Sequence, residues 1–173
     1  MDMRQNMLAG LAAAALIGGT ALAQNSANRM TTADHFMTNA AEGGIAEVEL
    51  GRVAVQNASD PKVKQFGQRM VDDHTKVDDE LKDIAARKNV TLPTRPDAKQ
   101  QATLDRLSKL HGAEFDRAYM QDMVKDHKED VAEFQRASNS ESDSDVKAWA
   151  AKTLPILRDH LNQAEQTERQ LKK

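Results

Sequence analysis

Two five-residue runs hold the residues best suited to chemistry: Met70-Val71-Asp72-Asp73-His74 and Met123-Val124-Lys125-Asp126-His127. Both read Met-Val-x-Asp-His, and a Glu follows each His by six residues, at Glu80 and Glu133. A worn copy, Leu157-Arg158-Asp159-His160, lies near the C-terminus. Imidazole transfers protons, donates and accepts hydrogen bonds, and is the commonest protein ligand for borderline transition metals. No catalytic motif accompanies the three histidines, which weighs against an enzyme.

The elements that carry them are helices. His74 belongs to the stripe Val63, Phe66, Met70, His74, Val77, Leu81 and Ile84, spaced by threes and fours. Asp60 as cap and Pro61 in the first turn start that helix, which ends near Lys88 and Asn89. His127 belongs to Tyr119, Met120, Met123, His127, Val131 and Phe134, on a helix expected over 113–137. His160 belongs to Val146, Trp149, Thr153, Leu157, His160, Ala164 and Leu171, behind a cap expected at Ser142. Pro155 lies inside this helix, where it removes one backbone hydrogen bond and predicts a kink.

A first helix is expected over 32–59, opened by a Thr31 and Asp34 capping box. One face of it holds Phe36, Ala40, Gly44, Glu47, Gly51, Ala54 and Ala58, flanked by Val48 and Val55. Most of that seam is small, so a neighbouring helix can approach closely, and Glu47 in its middle is out of place. Between the second and third long helices, 90–96 is a loop with two prolines. A short helix follows through Leu104, Leu107 and Leu110, closed by Gly112. No period-two strand pattern occurs. The expected fold is all-α: a ferritin-like four-helix bundle with one long crossover carrying a short helix.

With the helices running up, down, down and up, simple heights follow from a rise of about 1.5 Å per residue. Glu47, His74, His127 and His160 each fall about 18–21 Å from one end of the bundle. One inward polar residue per helix in a shared layer is the arrangement of a core metal site. A second reading stays open, in which the same four groups form a hydrogen-bonded network that only stabilises the fold. A third is proton-transfer or oxidoreductase chemistry at the layer. Asp130 projects inward three residues past His127 and is a possible extra ligand. Met70 and Met123 lie one turn from their histidines, as core filling or as soft ligands suited to copper. Asp73, Asp126 and Asp159 are turned 100° from the histidines they precede, at helix seams where Lys or Arg can pair with them. His35 and His111 fall near helix ends, away from this layer, and carry no assigned role.

Several stretches resemble the bacterial family called domain of unknown function 4142. They are Ala46-Glu47-Val48-Glu49-Leu50-Gly51, Arg69-Met70-Val71-Asp72-Asp73-His74, Gly112-Ala113-Glu114-Phe115-Asp116-Arg117-Ala118-Tyr119-Met120 and Thr153-Leu154-Pro155-Ile156-Leu157-Arg158-Asp159-His160-Leu161. The resemblance covers residues from about 32 to 171 and implies an exported helical bundle, with no activity attached. Ferritin-type di-iron sites use Glu-x-x-His on two helices. Here Val71, Val124 and Leu157 stand three before the histidines. Any site is therefore expected to be mononuclear and His-rich, taking zinc, iron or copper.

The N-terminus reads as an export signal over 1–23: Arg4, an apolar run from Met7 to Leu22, and an Ala21-Leu22-Ala23 cleavage site. Residues 24–31 are expected as a disordered leader and 32–172 as the bundle, in a periplasmic protein with no stable membrane span after cleavage. The chain has no Cys, which excludes disulfides, thiolate metal sites and Cys catalysis. Acids and bases are interspersed at a net charge of −3, so no nucleic-acid face is indicated. No motif specifies a protein partner or a homo-oligomer.

The combined expectation is a bundle holding one transition-metal ion for storage, buffering or a stress role. The alternative is a non-enzymatic structural or interaction module.

Overall fold

The computed structural model describes residues 30–172. The expected signal peptide and most of the expected leader lie outside the described residues. The helices are α1 (Thr32–Asn57), α2 (Pro61–Lys88), α3 (Ala98–Leu107), α4 (Gly112–Ser140) and α5 (Ser144–Leu171). No strand occurs among the described residues. The protein is an all-α bundle of four long helices, with the short α3 in the crossover.

Local chemistry sets the helix ends. Thr31 and Asp34 form the reciprocal capping box of α1, and Asp60 accepts from the Lys62 N–H ahead of Pro61 in α2. Asn89 ends α2 in the left-handed conformation at φ 57°. Asp97 and Gln100 form a second capping box that starts α3. Two helix ends and one side chain differ from expectation. The cap of α5 is Asp143, which accepts from the Asp145 and Val146 N–H groups, because α4 continues to Ser140 and shortens the turn. Gly112 does not close the short helix; α3 ends at Leu107, and Gly112, at φ +61°, opens α4. On α1, Val55 is exposed rather than flanking the core.

α1 packs along α2, and α4 along α5; α2 against α5 and α1 against α4 close the ring, while α3 lies on α1 and α4. Small residues allow the α1–α2 approach: a Cβ on Gly51 would stand 2.5 Å from the Gly67 carbonyl oxygen. The chain direction is fixed by which ends share a cluster. One cluster joins the start of α1, the end of α2, the end of α4 and the start of α5, around Phe36, Phe134 and Trp149. The other joins the remaining ends, around Phe66, Phe115 and Tyr119. Helices therefore run up, down, down and up, as the height estimate requires.

Polar ties fix each end. Buried Asp116 on α4 accepts from the Ser59 and Asp60 N–H groups at 3.0 Å, holding the α1–α2 turn. Lys88 at the end of α2 pairs with Asp143 at 2.7 Å and Asp145 at 3.1 Å.

Candidate metal centre

Between the two apolar clusters the core turns polar. His74 from α2, His127 from α4, His160 from α5 and Glu47 from α1 fill this layer, each at most 5% exposed. Their helical stripes dictate the meeting. On each helix the same apolar face that builds the clusters above and below carries one imidazole or carboxyl at mid-height.

The three imidazoles form a near-equilateral group, with ring centroids 5.9 Å (His74–His127), 5.5 Å (His74–His160) and 5.4 Å (His127–His160) apart. One ligating nitrogen from each lies within 4.8 Å of those from the other two. Outer contacts orient two of the rings. His127 Nδ1 lies 3.0 Å from the Met123 carbonyl oxygen, and His160 Nε2 lies 2.9 Å from Asp73 Oδ2. Both acceptors demand a proton on the nitrogen that faces them, which leaves His127 Nε2 and His160 Nδ1 as bare lone pairs. Those two atoms and His74 Nε2 are buried and have no hydrogen-bond partner. Buried polar atoms without a partner are uncommon in proteins and cost about 1–3 kcal/mol each.

Asp73 is itself held in place. Arg69 Nε lies 3.1 Å from Asp73 Oδ2, while its terminal nitrogens reach Asp159 Oδ2 at 2.6 Å and Gln163 Oε1 at 2.6 Å. Asp73 and Asp159 thus sit at a seam and pair with Arg, as expected. The added role of Asp73 as acceptor for His160 escaped the sequence. The signal for it was present: α2 and α5 are neighbours with histidines at equal height, so a residue rotated 100° from His74 on α2 faces α5.

Electrostatics keep the group neutral. Burial pushes His74 well below its ordinary value, and His127 and His160 nearby push it further. Burial, then the neighbouring His160, lowers His127 to about 3 against the pull of the Met123 carbonyl. Burial also lowers His160, although the hydrogen bond it donates to Asp73 opposes the shift. Three unprotonated imidazoles facing one another are in the form that binds a cation.

The remaining expected ligands take other places. Glu47 stands 3.8 Å from His127 Nδ1, the nitrogen engaged by Met123, and lies outside the three-nitrogen group. Burial, followed by the charges of Asp126 and Asp130, raises its carboxyl well above the usual range. Both its oxygens are buried without a hydrogen-bond partner. Met70 and Met123 are part of the apolar cluster around Phe66 and Tyr119. Asp130 lies apart from the three nitrogens, in the wall of a cleft between α1 and α4.

The model of the family described as Domain of unknown function (DUF4142) matches residues 19–167, most of the chain, and the protein belongs to that family. No curated protein and no solved structure matches the chain. The expected family is thereby shown, and it brings no activity with it. Among the described residues no helix is long and apolar enough to cross a membrane.

Proposed function

We propose that this member of the DUF4142 family binds one transition-metal ion through His74, His127 and His160. The observation that carries the reading is the convergence of three buried imidazoles whose inward nitrogens have no partner. Asp73 and the Met123 carbonyl are the outer partners that fix ring orientation and tautomer, a pattern typical of histidine ligands. Three neutral imidazoles suit zinc or copper, and iron less specifically, whereas magnesium and calcium prefer oxygen. Storage or buffering of such an ion, or a role in stress, is the physiological reading, in the periplasm if residues 1–23 direct export.

The competing reading is a buried hydrogen-bonded network without metal. It accounts for the outer contacts of His127 and His160 and leaves the three inward nitrogens unexplained. Metal content and stoichiometry of the purified protein decide between them. One zinc or copper per chain, lost in His74→Ala, His127→Ala and His160→Ala, supports the site. Metal-free protein that takes up none on reconstitution contradicts it.

A further inference from the structure

A cleft of about 320 Å³ opens between α1, α3 and α4. Seven of its lining side chains are carboxylates, against Lys99 and Lys125. Behind it lies a smaller cavity of about 30 Å³, walled partly by Trp149, Thr153 and Leu157, with His74 in its lining. Asn39, Gly43, Asp130 and Glu133 line both spaces and so stand between them, at what we call the neck. Asn39 Nδ2 donates to Glu133 Oε1 at 3.4 Å across this neck, from α1 to α4. His74, in the lining of the smaller cavity, is 5% exposed and its Nε2 is buried without a partner.

We propose that the acidic cleft is the entrance for a divalent cation to the three-histidine site, with Asp130 and Glu133 as the transfer carboxylates at the neck. The inference rests on the metal reading above. The physical reason is focusing: a recess in which one sign of charge predominates, as the seven carboxyl side chains do over Lys99 and Lys125, raises the local concentration and arrival rate of the opposite charge. Apolar clusters close the layer above and below, so a route to it is lateral. Burial, then the charges of Asp126, Glu133 and Glu129, holds the Asp130 carboxyl well above its usual range, so the neck holds a borderline cation only loosely, whereas imidazoles hold it well, and transfer runs inward. Gly43 gives the neck its width. A Cβ there would meet only Gln100 Nε2, at 3.8 Å, so a larger side chain is accommodated without displacing the helix and fills the passage instead.

The test is stopped-flow uptake of cobalt(II), followed by its visible absorption, in the full chain. The variants are Asp130→Asn with Glu133→Gln, Gly43→Leu, and a control, Glu165→Gln with Glu168→Gln, on the α5 surface. Both neck variants should load about tenfold more slowly or worse, the scale expected when steering is lost. The control should load as wild type. Final stoichiometry and the cobalt spectrum should match wild type throughout. Gly43→Leu should also slow release to a chelator by the same factor, since a narrowed passage leaves the equilibrium alone. Rates equal to wild type in both neck variants would overturn the entrance. Loss of affinity at an unchanged rate would make Asp130 a ligand and overturn it too. A wild type that takes up no cobalt would instead remove the three-histidine site, and the route with it.

Discussion

His160 Nε2 and Asp73 Oδ2 are 2.9 Å apart across the seam between α5 and α2. This contact joins the two helical hairpins at the level of the polar layer, and it sets which nitrogen of His160 faces inward. The first prediction follows from it. Asp73→Asn keeps the shape and loses the charged acceptor, so metal affinity should fall about 10–100-fold, the usual effect of losing an outer partner. Asp159→Asn touches Arg69 and not the imidazole, and should change affinity little. Calorimetric titration with zinc compares the two.

The second prediction concerns pH. Ordinary imidazoles would lose metal as pH falls through about 6.5. Burial holds His127 down at about 3, with His74 and His160 lowered as well. Zinc binding should therefore change little between pH 7 and 5. The metal-free fold behaves differently. Below about 6.5 the unfolded His127 takes a proton and the folded one does not, so stability falls as pH drops and levels off below about 3. Denaturant melts of metal-free wild type should lose ground to His127→Leu over that window. A constant difference between the two would contradict the depressed value.

Asp78 gives the opposite sign. It is buried on α2 against Gly44 of α1, and burial raises its pKa to about 7, with Lys82 opposing and Asp79 adding to the shift. The folded state holds this proton where the unfolded state has released it. Stability from Asp78 is thus present below its ordinary 3.8 and is lost as pH rises to about 7. Asp78→Asn should match wild type near pH 4 and gain over it up to a plateau above 7. Thermal melts across pH read the difference.

The fourth prediction addresses the α1–α2 contact. Gly51→Leu puts a Cβ 2.5 Å from the Gly67 carbonyl and a side chain into Val71 and Met70. Overpacking costs about 1–3 kcal/mol, against a gain of up to about 1 kcal/mol in helix propensity. The melting temperature should fall. A rise would mean that α1 does not approach α2 closely.

The bundle was legible in sequence because each long helix repeats one apolar stripe, and chain direction followed from the long 89–111 connection. The heights of His74, His127 and His160 followed from counting along those stripes. What counting misses is direction around a ring. Glu47 shares the layer, yet His127 spends the nitrogen nearest to it on the carbonyl of its own preceding turn. Helix ends were less legible where two caps compete, as with Ser142 and Asp143, since the longer α4 decides which one is used. The acidic cleft was not legible at all. Its carboxylates are scattered from Glu42 to Glu133 and meet only once α3 packs over α1 and α4.

The most direct measurement is the melting of wild type and His127→Ala, each with chelator and with zinc or copper(I). At a hundred times its dissociation constant the metal should stabilise wild type by about 2.7 kcal/mol, and chelator should remove that gain. His127→Ala should show no metal-dependent shift. If wild type melts identically with metal and with chelator, and His127→Ala is destabilised equally in both, the three histidines are a structural network and hold no ion.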